Sequence, residues 1–281
     1  MRTSRTGPLI WLRLSRVLVL LAALTVPLAS QTTFIHMSDP QFGYFTGNKS
    51  FDQETENFEF AVTAADRLKP AFVVITGDLV NKHGDPAQVA EYKRIVAKFA
   101  PGIKVFTLPG NHDFSDPLTR ESLAQYRASF GPDYYAFRIA DIAGIALNGS
   151  LMKDAARLPD ESAKMEAWLR AELEKARQDA VKHVLVFLHY PLFLNAADEP
   201  DQYFNIPPEI RKRYLALFHE YGVKQVFAGH THKNQDSRDG DLEMIVTGPI
   251  GKPLGAKSGF TVVKVSDDGV THRFYDFGAL P

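Results

Sequence analysis

From residue 32 onward, short apolar runs rich in β-branched and aromatic residues alternate with longer runs whose apolar positions recur at helical spacing, and Gly, Pro, Asn and Asp punctuate the joints. The short runs predict strands over 32–37, 72–76, 103–108, 134–139, 142–147, 183–188, 224–228, 242–247, 260–265 and 270–275. The longer runs predict helices over 54–68, 86–99, 118–130, 161–180 and 208–221. Helices stop near residue 221 while strands continue. That asymmetry argues against a single wound parallel sheet and for an α/β fold built as a two-sheet sandwich flanked by helices. No internal repeat or long linker divides 31–281, which reads as one domain.

The first thirty residues have a different character. Arg2, Arg5, Arg13 and Arg16 appear without an acid, an apolar run follows over 17–26, and Pro27, Leu28, Ala29 and Ser30 lead into polar Gln31. The pattern predicts an export signal cleaved near Ser30, although Leu28 is larger than the usual residue at that offset. The run is short of the roughly 20 apolar residues that span a bilayer. An uncleaved anchor is the alternative. The expectation is an exported protein, periplasmic or secreted, with no stable membrane span after cleavage.

Composition narrows the chemistry. With 32 Lys and Arg against 33 Asp and Glu, the formal charge is −1, and no basic field recruits nucleic acid. The chain has no cysteine, which excludes disulfides, zinc-thiolate sites and thiol nucleophiles. Any metal must be held by nitrogen and oxygen.

Candidate ligands of that kind sit directly after five predicted strands. Asp39-Pro40-Gln41 follows the first and Gly77-Asp78 the second; Gly110-Asn111-His112-Asp113 follows the third; His189 and Gly229-His230-Thr231-His232 end two later ones. Strand ends in α/β proteins converge on one rim, so residues far apart in sequence can meet there. Carboxylate, imidazole and amide oxygen together suit Zn, Mn, Fe or related ions. Singly, each piece reads as a turn: Asp and Asn stabilise turns and tolerate left-handed backbone, and His189 could cap a buried strand. The ordered set at five strand ends is what points to a metal site.

That ordered set resembles the calcineurin-like metallophosphoesterase superfamily, whose pattern runs Asp-x-His, Gly-Asp, Gly-Asn-His-Asp/Glu, a lone His and Gly-His-x-His. The resemblance covers essentially all of 33–276 and implies a four-layer α/β/β/α fold. More narrowly, the Asp39-Pro40-Gln41-Phe42-Gly43 start, His189-Tyr190-Pro191-Leu192-Phe193 and Tyr203-Phe204-Asn205 are similar to the branch containing calcineurin-like phosphoesterase domain-containing protein 1, described as a serine/threonine phosphoprotein phosphatase. Gln41 replaces the superfamily's usual histidine but is shared with that branch. Purple acid phosphatases match less well, because their tyrosine ligand falls on Asn81, which predicts a colourless enzyme.

The resemblance implies that Asp39, Gln41, Asp78 and His232 bind a first metal, and that Asp78, Asn111, His189 and His230 bind a second, with Asp78 bridging. Two divalent or trivalent ions about 3.5–4 Å apart clamp phosphoryl oxygens and activate water. The implied activity is hydrolysis of phosphomonoesters, on phosphoprotein or small molecules, by attack of a metal-bound hydroxide. His112 is the expected proton donor to the leaving alkoxide, and Asp113 is expected to hold its imidazole, although an ordinary turn acid explains Asp113 nearly as well. His36, His83, His183, His219 and His272 fall outside the pattern. Rim candidates are 148–150, 203–205 and 248–259, with Tyr44, Phe45, Tyr190 and Phe193 as an aromatic wall. The alternatives are a phosphodiesterase acting on nucleotides or lipid head groups, and a catalytically silent phosphate-binding protein with Gln41 as the lost ligand. Oligomeric state is left open.

Overall fold

The computed structural model describes residues 31–280; the expected export signal lies outside them. Two sheets form. One runs β11-β10-β1-β2-β3, from β1 (Thr32–Met37), β2 (Phe72–Thr76), β3 (Lys104–Leu108), β10 (Gly259–Ser266) and β11 (Gly269–Asp276). The other runs β4-β5-β6-β7-β9-β8, from β4 (Tyr135–Ile139), β5 (Ile142–Ala146), β6 (His183–Phe187), β7 (Gln225–Ala228), β8 (Gln235–Asp239) and β9 (Leu242–Val246).

Alternation along the strands explains why the sheets stack. Phe34, Phe72, Val74, Leu185, Phe187, Phe227 and Ile245 form one fully buried cluster, while their neighbours Ile35, Val73, Ile75, Val186, Val226, Met244 and Val246 join a second cluster with the helices. Successive side chains of a strand point to opposite faces, so one set fills the space between the sheets and the other packs outward. Phe34 ties the layers together: it stacks on Phe72 at 4.6 Å within its own sheet and meets Phe227 edge-on at 5.5 Å in the other.

Helices α1 (Asp52–Leu68) and α2 (Pro86–Val96) are the crossovers of the parallel β1-β2-β3 unit, and α5 (Pro159–Gln178) and α6 (Pro208–Glu220) are those of β5-β6-β7. Helix α3 (Arg120–Phe130), whose Thr119 and Ser122 form a reciprocal capping box, links β3 of one sheet to β4 of the other. Among the described residues, no helix is long and apolar enough to cross a membrane.

Two elements escape the hydrophobic pattern. Strand β8 reads Gln-Asp-Ser-Arg-Asp, with no apolar residue to signal it; it is an edge strand held antiparallel to β9 across a turn at Gly240. The short helix α4 (Gly149–Lys153) is nucleated by Asn148, whose side chain accepts from the amides of Ser150 and Leu151. Residue 148, expected at a rim, is fully buried and donates instead to Asp133 at 2.9 Å.

Candidate metal centre

Strands β1, β2 and β3 are mutually parallel, as are β5, β6, β7 and β9, so the loops after β1, β2, β3, β6 and β7 reach one rim. The backbone there is bent sharply. Nine non-glycine residues among those described have positive φ, and five are candidate ligands: Asp39, Gln41, Asp78, His230 and His232. Left-handed backbone costs such residues energy, and outliers of this kind cluster where a site demands a particular aim. Packing leaves no slack: a Cβ on Gly110 would sit 2.2 Å from Asp78 Oδ1, and one on Gly229 would sit 1.8 Å from Ser38 Oγ.

The bends bring the candidates together. Ligand atoms of Asp78, His189 and His230 lie within 4.8 Å of one another, and so do those of Asp39, Asp78 and His232. Asp78 belongs to both groups. Its Oδ2 is 3.3 Å from His189 Nε2, and its Oδ1 accepts from the His112 amide at 2.9 Å. Asp39 Oδ1 is 3.4 Å from His232 Nε2, and Asp39 Oδ2 accepts from the His230 amide at 3.1 Å. Asn111 Oδ1 and His230 Nδ1 each lie 3.1 Å from His189 Nε2. Gln41 is buried on the same loop, with its Nε2 3.4 Å from Asn81 Oδ1.

Electrostatics single out the centre as a place that wants positive charge. Burial opposes the charge on Asp39 and Asp78, yet neighbouring imidazoles, His232 and then His189 for Asp39 and His189 for Asp78, hold both carboxyls below their ordinary range. Burial would likewise depress His189, but Asp78 and Asp39 lift it to about 9. His232 is raised by Asp39 against its own burial. His230, buried beside His189, falls to about 3. Asp39 Oδ1, Gln41 Oε1 and His230 Nε2 are buried without a hydrogen-bond partner. Orphaned buried donors and acceptors are costly, and a cation accepting their lone pairs removes that cost. The set of nitrogen and oxygen donors therefore fits a pair of metal ions.

Four surrounding contacts differ from the sequence expectation or lie beyond it. Asp113 does not reach the His112 ring. Its carboxylate accepts from the amides of Gly110 at 2.8 Å, Leu79 at 3.0 Å and Val80 at 3.2 Å, bracing the two loops that carry Asp78 and Asn111. Burial and the nearby Asp78 push its pKa up to about 8. The His112 ring is held instead by the Asn81 carbonyl, 3.1 Å from Nδ1. His36, given no chemistry, is fully buried 2.9 Å from Thr76 Oγ1, while the Lys252 carbonyl contacts His232 Nδ1. No sequence signal marks these supports, because all but the Gly110–Asp113 contact join residues distant along the chain. Of the expected aromatic wall, Tyr190 packs 4.2 Å from the His230 ring and Tyr44 5.3 Å from His232, whereas Phe193 is core.

Comparison with known proteins agrees with this geometry. The family model for calcineurin-like phosphoesterases matches residues 32–234. The serine/threonine-protein phosphatase CPPED1 of Bos taurus is 35% identical over 265 aligned residues, covering 88% of this chain and 84% of that protein. Among solved structures, purple acid phosphatase PPD1 from yellow lupin superposes with a TM-score of 0.69 at 12% identity, over 90% of this chain and 53% of that one. A dimetal phosphatase from Danio rerio superposes with a TM-score of 0.61 at 15% identity, over 87% and 99%. The structural likenesses establish the fold; the sequence matches establish descent, and by them the chain belongs to the calcineurin-like phosphoesterase family.

Proposed function

We propose that the protein is an exported dimetal phosphomonoesterase that acts on phosphoserine and phosphothreonine. The observation that carries this reading is Asp78, one carboxylate common to both groups of ligand atoms. A shared carboxylate offsets the repulsion between two cations and leaves the other donors free to divide between them. Asp39, Gln41, Asp78 and His232 would hold one ion; Asp78, Asn111, His189 and His230 would hold the other. Mn, Fe and Zn all suit such donors. When bound, the ions supply Lewis acidity toward phosphoryl oxygens and a water ionised near neutral pH.

The chain's own residues do the rest. The contact of His189 Nδ1 with the Thr76 carbonyl, at 2.7 Å, presents Nε2 to the centre. His112 is the proton donor in this reading: its Nδ1–H donates to the Asn81 carbonyl at 3.1 Å, which leaves Nε2 as the nitrogen available to the leaving alkoxide. General-acid help of this kind is worth about 10²–10⁴-fold. Asp113 holds the Asp78 and Asn111 loops in register from behind. The choice of phosphorylated hydroxyl amino acids draws on the CPPED1 relatives, which are named serine/threonine-protein phosphatases.

The test compares p-nitrophenyl phosphate, its bis-ester and a phosphoserine peptide on protein loaded with Mn or Zn. Metal-dependent hydrolysis favouring the monoesters is expected. Preference for the bis-ester would make the protein a phosphodiesterase, and absence of any metal-dependent turnover would leave a silent binder. Export is supported by the arginine-rich start and the apolar run over 17–26. N-terminal sequencing of protein recovered outside the cytoplasm should begin near residue 31, and retention of the first thirty residues would contradict cleavage.

A further inference from the structure

A cavity of about 300 Å³ opens beside the centre, with Asn111 at its inner edge. Its lining includes the buried apolar side chains of Phe114 and Leu118 and the rings of Tyr190 and Tyr203. Both rings also pack on His230, at 4.2 and 5.1 Å, so the cavity is continuous with the proposed second metal position. Two carboxylates, Asp116 and Asp154, also line it. Asp154 is shared with Arg157 at 3.0 Å, whereas Asp116 is exposed and has no ion-pair partner among the described residues. Both acids line the same space as the two tyrosines.

Two further side chains define what fits. Ser150 lines the cavity at 7% exposure; its amide and carbonyl are engaged within the α4 turn, and its hydroxyl has no partner. Lys153 also lines it, but its ammonium is spent on Asp201 at 3.2 Å and on the carbonyls of Gln202 and Asn205 at 2.6 and 2.8 Å. That ammonium also lies 6.0 Å from the Tyr190 ring centroid; with Lys153 paired to Asp201 and Asp154 to Arg157, the charge left without an ion-pair partner among the lining residues is the Asp116 carboxylate. Aromatic faces beside carboxylates are the environment that holds an organic cation, by attraction to the ring quadrupole as well as to the acids.

We propose that this cavity seats a positively charged nitrogen carried by the alcohol half of a phosphomonoester substrate. The proposal rests on the phosphomonoesterase reading and names the substrate class of that same site. Two sources share the chemistry: a small amino-alcohol phosphate, and a phosphopeptide with a basic side chain next to the phosphorylated residue, whose methylene stem would lie along the rings.

The experiment has three arms. Phosphocholine is compared with its neutral isostere 3,3-dimethylbutyl phosphate; phosphoserine peptides differing only in Arg or Gln beside the phosphoserine are compared with each other; and choline is titrated against 3,3-dimethylbutan-1-ol into the metal-free protein by calorimetry. A preference of about tenfold for the charged member is expected in kcat/KM, within the range of cation recognition over aromatic faces. Preference in the esters alone assigns the small substrate, and preference in the peptides alone assigns the basic phosphopeptide. The ratio of charged to neutral should collapse toward one in the double variant Asp116→Asn, Asp154→Asn, and should fall in Tyr203→Leu, a residue exposed enough (60%) for the fold to tolerate the change. Hydrolysis of charged and neutral substrates alike would keep the function and overturn the subsite. Selective choline binding without hydrolysis of any monoester would keep the subsite and retract the function.

Discussion

His189 Nδ1 lies 2.7 Å from the carbonyl oxygen of Thr76, so an imidazole at the end of β6 is aimed by the end of β2 in the other sheet. The same carbonyl accepts from Ser38 Oγ at 3.1 Å, and the Thr76 hydroxyl meets His36 at 2.9 Å. Three residues at the C-terminal ends of β1 and β2 in one sheet thereby set the direction of a ligand carried by the other. A partner on the second ring nitrogen selects the tautomer, as outer contacts of metal-binding histidines generally do.

Metal uptake should depend on pH through this same residue. In the metal-free protein, Asp78 and Asp39 overcome burial and raise His189 to about 9. A histidine must be neutral to ligate, so below pH 9 a metal displaces its proton. Affinity should rise with pH and level off once that value is passed. Calorimetry in buffers of different ionisation enthalpy reads the released proton directly; uptake without proton release at pH 7 would refute the assignment.

Ligation and proton donation should separate by mutation. Asp78→Ala removes the carboxylate common to both groups of ligands and should cost both ions along with turnover. His112→Ala keeps the backbone amide that positions Asp78, so metal content should persist while kcat falls by about 10²–10⁴-fold. Elemental analysis beside steady-state kinetics decides the matter, and equal metal loss in the two variants would erase the distinction.

Gly110→Ala should act as a ligand mutation without touching a ligand. The new methyl would lie 2.2 Å from Asp78 Oδ1 and 2.3 Å from the Asp78 amide, and that backbone cannot step aside. A loss of metal affinity of about 10–100-fold is expected, the scale seen when the supports of a metal site are disturbed. Wild-type metal content in this variant would show that the loops have more freedom than their packing implies.

Glu199 should make stability depend on acid. It accepts from the amides of Leu194 at 2.8 Å and Asn195 at 2.9 Å and from Asn205 Nδ2 at 2.7 Å, shaping the loop that presents Tyr203. Burial opposes its charge, but Asn205 and these amides hold the carboxyl below its ordinary value. A depressed carboxyl stabilises the fold above the unfolded value near 4.3 and loses that contribution as pH falls through the lower folded value. Glu199→Gln should therefore cost about 1–3 kcal/mol in urea unfolding at pH 7, with the gap to wild type closing below about pH 4. A gap independent of pH would mean that shape alone, and not charge, holds the loop.

Much of this protein was legible along the chain. Strands such as Phe72–Thr76 announce themselves because five consecutive apolar or β-branched residues have no stable place except between two covered faces. The metal-competent residues stood out because each follows such a strand directly. Tertiary structure decided what local pattern does not encode. Gln235–Asp239 is a strand only because β9 offers it a ladder, and Asp113 supports backbone amides rather than His112 because the Asp78 loop folds over it. The cavity beside Asn111 draws its two acids, two tyrosines and unpartnered Ser150 from four separate stretches of chain. Periodicity and residue type report the solvent a side chain prefers. Which partner it meets depends on contacts between residues remote in sequence, and those exist only once both sheets have closed over their shared layer of phenylalanines.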